Sequence, residues 1–203
     1  MASVYDLKPA FQRLLRPGVR ALARAGVTAN QVTVSAAVLS AAAGISIAVT
    51  PTRRAVLFLL PVVLFLRMAL NAVDGMLARE HGQKTKLGAI LNELGDVLSD
   101  GALYLPLALV PGFAPGLVAP IVVLAGVSEL AGVLIQLLGG SRRYDGPMGK
   151  SDRAFGFGLL GLLGGLGVPL DPWANWALAA ILLLLVWTTI NRIRRGLDEI
   201  GAR

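Results

Sequence analysis

Six apolar stretches, at residues 31–50, 55–78, 87–110, 116–138, 154–170 and 173–190, take up most of this chain. Each runs for roughly 17 to 25 residues, the length a helix needs to cross the hydrocarbon core of a bilayer. Backbone N–H and C=O groups find no water there, so each stretch must satisfy its own hydrogen bonds as a helix. Composition agrees. Charged residues make up 15% of the chain, where a soluble domain carries roughly a quarter. The breaks between stretches are short and no internal repeat divides them. The expectation is one all-α integral membrane domain over residues 1–203, with a six-helix bundle at 31–194.

Residues 1–28 read differently. Leu14, Leu15, Val19, Leu22 and Ala23 fall near one helical face, and Arg13, Arg16, Arg20 and Arg24 line another. This predicts an amphipathic helix lying in the membrane interface, broken near Pro17-Gly18. An acidic residue and the lack of an apolar run before the arginines predict no cleavable leader.

The basic residues orient the bundle. Lys8, Arg13, Arg16, Arg20 and Arg24 precede the first stretch, and Arg79, Lys84 and Lys86 lie between the second and third. Arg142, Arg143, Lys150 and Arg153 lie between the fourth and fifth, and Arg192, Arg194, Arg195 and Arg203 follow the sixth. Only Arg53 and Arg54 fall on the opposite side. The positive-inside rule then predicts that both termini face the cytoplasm. It also accounts for the net charge of +7 through topology and anionic lipid rather than nucleic acid. Cysteine is absent, which excludes disulfides and thiolate metal sites.

The chemistry is concentrated in residues 71–100, NAVDGMLAREHGQKTKLGAILNELGDVLSD. Carboxylates beside hydrocarbon are expensive and mark a functional site. Arg67, Asn71, Asp74 and Ala78 share one helical face, and Asn92, Asp96 and Asp100 share another. The connection from Arg79 to Lys86 is short, so the two helices are expected to be antiparallel neighbours whose polar faces meet. Such a cluster of carboxylate and amide oxygens suits hard cations such as Mg²⁺ or Mn²⁺. Gly75 and Gly88 remove side chains where a helix or a substrate must come close. A structural polar cluster, with Arg67 paired to Asp74 or Asp100, and an ion or proton pathway also fit these residues. The concentration of acids on two adjacent helices near a basic loop favours an anionic substrate.

Asp74-Gly75, Ala78-Arg79, Gly88 and Asp96 stand at the spacing of the signature of the CDP-alcohol phosphatidyltransferase family, which this chain resembles. Asn71 and Asn92 occupy the places of its first and third aspartates. The TANQVT segment from Thr28 to Thr33 and the Gly149-Lys150 loop also resemble that family. The resemblance implies an enzyme that moves a phosphatidyl group from CDP-diacylglycerol to a small alcohol or alcohol phosphate and releases CMP. It implies Asp96 as catalytic base, and Asp74, Asp96, Asn71, Asn92 and Asp100 as candidate ligands of Mg²⁺ or Mn²⁺. It implies Asn30, Thr33, Gly75, Ala78, Arg79 and Gly88 at the nucleotide, and Lys150, Arg153, Arg142 and Arg143 at the acceptor or its phosphate. It further implies a homodimer in the inner (plasma) membrane, multi-pass, with the site facing the cytoplasm. Because two signature acids are asparagines, one or two metals, and compensation by Asp100 or Arg67 (through Asp100 or Glu129), stay open. The alternative function is a catalytically silent relative that binds nucleotide or lipid.

Overall fold

The computed structural model describes residues 4–202; Arg203, one of the orienting charges, lies outside them. Seven α-helices follow one another: α1 (Val4–Arg24), α2 (Ala29–Val49), α3 (Leu59–Glu80), α4 (Lys86–Tyr104), α5 (Pro115–Leu137), α6 (Lys150–Gly165) and α7 (Trp173–Gly201). Short 3-10 segments, Arg54–Phe58 and Leu105–Leu109, precede α3 and follow α4. No strand occurs among the described residues.

Among the described residues, four segments are long and apolar enough to cross a membrane: Ala29–Val49, Arg54–Glu80, Pro115–Leu137 and Trp173–Gly201. The other two expected spans form helices but do not meet that standard. α4 carries Asn92, Glu93, Asp96 and Asp100 within 19 residues. α6 has 16 residues, about 24 Å at 1.5 Å per residue, against a hydrocarbon core of about 30 Å.

The chain divides into two compact units, one built from the chain up to Ala41 with Val63–Ser99, the other from Ala42–Val62 with the chain from Asp100 onward. In the first, α1 docks on α2 and α3. Val19, Ala29, Val32, Val73, Met76 and Leu77 are buried together, ringed by Leu15, Leu22, Ala23, Val27, Leu70 and Ala78. α1 does not break at Pro17-Gly18 as expected; it runs unbroken from Val4 to Arg24. The proline forfeits one backbone hydrogen bond, but Val19, fully buried two residues on, holds the next turn in place. Leu14 is not on the packed face; it is 75% exposed. Phe11 sits edge-on to Phe65, with ring centroids 6.3 Å apart. A bidentate pair, Arg16 Nη2 to Glu80 Oε1 at 2.9 Å and Nε to Oε2 at 3.2 Å, ties α1 to the end of α3. Both side chains are over a third exposed, so this pair orients more than it stabilises.

In the second unit α5 packs along α7, burying Val118, Ile121, Leu178 and Leu185. Tyr104 stacks on Phe157 at 4.1 Å. Asn175 on α7 pins the turn ahead of α5, accepting from Ala114 N–H at 2.8 Å and donating to the Gly112 carbonyl at 3.1 Å. The glycines of α6 allow close packing within this unit. A Cβ on Gly161 would lie 2.7 Å from Leu60 Cβ and 2.8 Å from the Leu57 carbonyl oxygen, and one on Gly165 would strike the Phe58 ring.

Candidate active site

The site begins at the N-terminus of α2. Thr28 and Gln31 form a reciprocal cap: Thr28 Oγ1 accepts from Gln31 N–H at 3.2 Å, and Gln31 Oε1 accepts from Thr28 N–H at 2.9 Å. Gln83, in the α3–α4 loop, adds a second tie. Its Oε1 accepts from Ala29 N–H at 2.7 Å and its Nε2 donates to the Val27 carbonyl at 3.3 Å. This segment therefore has a structural task, which is to hold Asn30 and Thr33 in place.

Thr33 Oγ1 lies 2.8 Å from Asp74 Oδ2 and 3.1 Å from the Ala29 carbonyl. A hydroxyl has one proton, and the nearer, charged acceptor is the stronger claimant. Asp74 is 6% exposed, so this donor fixes a carboxylate that little water reaches. Asn30 meets α4 at Gly88, where a Cβ would come within 2.7 Å of Asn30 Oδ1 and 3.0 Å of Thr85 Oγ1. Gly88 thus makes room for an amide oxygen at the start of α4. Gly75 makes room in the same way for Arg79, whose Nη2 would lie 2.9 Å from an added Cβ. The guanidinium folds back one turn toward the N-terminus, as helix side chains do. Ala78, beside it, joins the rim of the buried cluster around Val19.

The polar faces of α3 and α4 meet as expected. Asn71 Nδ2 donates to Asp96 Oδ1 at 3.3 Å. Arg67 Nη2 stands 4.0 Å from the same oxygen, on a side chain 4% exposed. Asp96, a partner that helical spacing did not suggest for Arg67, is within its reach. Asn92, one turn before Asp96, is half-buried on the same helical face.

Among the described residues, no three carboxylate, imidazole or thiol groups converge on one point. Asn71 and Asn92 explain this, since they replace charge by amide. The donor set still suits a hard divalent cation, which takes carboxylate and amide carbonyl oxygens together with water or substrate phosphate. Asp74 and Asp96 supply two negative charges, the number that balances one such ion.

Asp100 has another partner. Its Oδ2 accepts from Arg153 Nη2 at 3.1 Å, and Arg153 is 1% exposed. The same nitrogen reaches Glu129 Oε1 at 3.2 Å, while Glu129 Oε2 lies 3.2 Å from Arg192 Nη1 and 3.4 Å from Arg142 Nη2. Arg192 also donates to the Ser128 carbonyl at 2.7 Å, and Arg142 lies over the Tyr144 ring. Of the four residues expected at the acceptor, Arg142 and Arg153 therefore come together at Glu129. Arg143 turns away, donating to Asp145 Oδ2 at 2.7 Å and Glu199 Oε2 at 3.0 Å. Lys150 starts α6 and is half-buried.

Burial pushes the Asp145 carboxyl upward. Hydrogen bonds from Arg195 and Arg143 outweigh it and hold the group below its usual range. Arg143 is pushed up in turn, chiefly by its hydrogen bond to Asp145. Glu129 and Arg192 form part of this second cluster without having been singled out as site residues. The available signal was an acid inside one apolar stretch and an arginine two residues past the end of another.

The family model for CDP-alcohol phosphatidyltransferase matches residues 26–190. The inner membrane protein YnbA of Escherichia coli (strain K12) is 49% identical over 195 residues, which covers 95% of both chains. The phosphatidylinositol phosphate synthase of Mycobacterium tuberculosis (strain ATCC 25618 / H37Rv) is 28% identical, over 93% of this chain and 86% of that protein. The crystal structure of a Mycobacterium tuberculosis phosphatidylinositol phosphate synthase with CDP-DAG bound superposes with a TM-score of 0.69 at 23% identity, over 93% of this chain and 94% of that one. Its complex with manganese and citrate gives 0.66 at 24% identity, over 91% and 88%.

Proposed function

The chain belongs to the CDP-alcohol phosphatidyltransferase family, and from that premise we propose how its own residues carry the family's reaction. It is a multi-pass membrane transferase of phospholipid synthesis that moves a phosphatidyl group from CDP-diacylglycerol to an alcohol and releases CMP, with a divalent metal. Beyond that, we assign it to the inner membrane, six crossings with both termini and the site on the cytoplasmic side, α1 in the interface, and a homodimer as the working form. Basic loops on one side, the Arg-rich face of α1 and the membrane assignment of the relative from Escherichia coli support this arrangement.

The observation that carries the site assignment is the Asn71–Asp96 hydrogen bond, because it brings the polar faces of α3 and α4 together. Asp74 and Asp96 are the charged ligands of a single Mg²⁺ or Mn²⁺, with Asn71 and Asn92 as neutral donors. When bound, that cation neutralises pyrophosphate oxygens and stabilises the departing CMP. Asp96 takes the proton of the acceptor hydroxyl as its oxygen attacks the lipid-linked phosphorus. Arg67 and Asn71 hold that carboxylate in place. Thr33 holds Asp74. Asn30, Gly75, Ala78, Arg79 and Gly88 bind the cytidine diphosphate, with Arg79 at a phosphate through its planar fork. Arg142, Arg153 and Lys150 serve the acceptor. Arg143 is tied to Asp145 and Glu199 and supports the loop. Asp100 belongs with Arg153 and is left out of the metal set.

The test is direct. Purified protein in detergent receives CDP-diacylglycerol, Mg²⁺ or Mn²⁺ and a panel of alcohols, and CMP is measured. Metal-dependent CMP release with at least one acceptor supports the reading. Silence with every acceptor, while the nucleotide still binds, overturns it in favour of a silent binder.

A further inference from the structure

A cavity of about 290 Å³ lies within the second unit where α6 ends, roughly 20 Å of helix away from Lys150 at its start. Three connections wall it. Thr52 and Arg54 come from the turn ahead of α3, Val110 and Pro111 from the turn ahead of α5, and Val168 and Leu170 from the link between α6 and α7. Glycines press these walls together. A Cβ on Gly164 would come within 2.8 Å of Leu57 Cδ1, and one on Gly112 within 2.9 Å of Leu170 Cβ. The cavity is therefore built by packing, which lowers the ordering cost of binding there.

Its walls are apolar except at Thr52 and Arg54. Val110 and Leu170 are buried, while Thr52 and Arg54 are exposed. The Arg54 guanidinium lies against bare backbone: Gly167 has φ +89°, and a Cβ there would stand 3.0 Å from Arg54 Nη1. Among the described residues no carboxylate pairs with Arg54. Topology does not account for this charge either. Arg53 and Arg54 are the two basic residues on the side that the positive-inside rule leaves poor in them. Trp173 and Trp176 begin α7 just past the same link, and Trp176 is 75% exposed. Tryptophans in such positions mark the depth of the lipid head groups.

A ligand for this place carries one negative charge for one guanidinium and brings apolar surface to the walls. A free phosphate dianion would leave charge uncompensated beside hydrocarbon. A phosphodiester carries a single charge that the planar fork of Arg54 can grip through two oxygens. A cationic head group would be repelled by Arg53 next to it. The volume stands at the lower limit of small-molecule sites, about 300 Å³, which suits a phosphoglycerol unit whose acyl chains stay in the bilayer.

We propose that this cavity binds an anionic phospholipid of the leaflet opposite the cytoplasm, with the phosphodiester on Arg54 and the glycerol region against Val110, Val168 and Leu170. The site is separate from the transferase residues and stands whether or not the chain turns over.

The probe is phosphatidylglycerol with a diazirine near the glycerol end of one acyl chain, added to the full chain in detergent. After illumination, cross-linked peptides are mapped by mass spectrometry. Label is expected at residues 51–57, 110–111 or 168–170. Diacylglycerol with the same diazirine, which lacks the phosphate, should label these residues at least about fivefold less. Arg54→Gln should reduce the label about tenfold, the effect of losing a hydrogen-bonded charge, and Arg54→Lys should retain most of it. Equal labelling by diacylglycerol overturns the proposal, and this wild-type comparison decides even where a variant does not fold. Undiminished label in Arg54→Gln overturns it as well. Displacement of the label by millimolar inorganic phosphate would show a site for a free anion and overturn the assignment to lipid.

Discussion

Arg67 Nη2 lies 4.0 Å from Asp96 Oδ1, one helix reaching the carboxylate of the next from a side chain 4% exposed. Asn71, one turn along α3, donates to the same oxygen. Two α3 side chains thus aim at the atom proposed to receive the acceptor proton, and one of them carries a positive charge.

Arg67→Gln removes that charge while keeping a polar side chain. The predicted result is a fall in kcat of about tenfold or more, because a misplaced base costs catalysis. Mn²⁺ binding should tighten severalfold at the same time, since a neighbouring cation opposes another cation. A Mn²⁺ titration followed by electron paramagnetic resonance reads the second effect without any turnover. No change in either quantity would leave Arg67 as a packing residue.

Asp96→Asn preserves shape and the contact to Asn71 but cannot take a proton. CMP release should drop by about 10²- to 10⁴-fold, the usual range for a general base, and CDP-diacylglycerol should still bind. Full activity in this variant would remove Asp96 from the role of base.

Thr33→Val deletes the hydroxyl that donates to Asp74 at 2.8 Å. A hydrogen bond to a charged group contributes about 1.5–3 kcal/mol, so half-activation should require roughly tenfold more metal. The maximal rate at saturating metal should fall much less. A metal-activation curve separates the two, and an unshifted midpoint would show that Asp74 does not depend on Thr33.

Asp145 supplies a pH dependence. Its carboxyl is held below its ordinary range by Arg195 and Arg143 against the effect of burial. A depressed carboxyl stabilises the fold above its unfolded pKa, and that contribution is lost as pH falls through the folded value. Asp145→Asn should therefore lower the melting temperature at pH 7, and the gap to the wild type should close below about pH 4. Melting curves of both proteins from pH 7 to pH 3 test this; a gap that persists unchanged at low pH would refute it.

The meeting of α3 and α4 was legible because side-chain spacing specifies a helical face and a short loop specifies antiparallel neighbours. Their axial register was not. Spacing alone offered Arg67 the partners Asp74, Asp100 or Glu129 and did not suggest Asp96, which the folded helices bring within 4.0 Å of it. Asp100 shows the same limit. It shares a face with Asp96 and so read as a substitute ligand; its hydrogen bond to Arg153, 53 residues away, is beyond the reach of any local pattern. The break expected at Pro17 failed for a related reason: a local preference lost to the burial of Val19 on other helices. Arg192 read as a topology charge because position in the sequence does not distinguish a buried arginine from a solvated one.

Gln83 gives one last consequence. A single amide binds the α3–α4 loop to the start of α2 as both donor and acceptor, so that loop works as a splint rather than a hinge. Its length then acts as a ruler. A residue added between His81 and Thr85 would slide Gln83 off Ala29 and shift Asn30 and Thr33 against Gly88 and Asp74. Sequence variation in this exposed loop should therefore be confined to substitutions, with insertions and deletions tolerated elsewhere on the surface but not here.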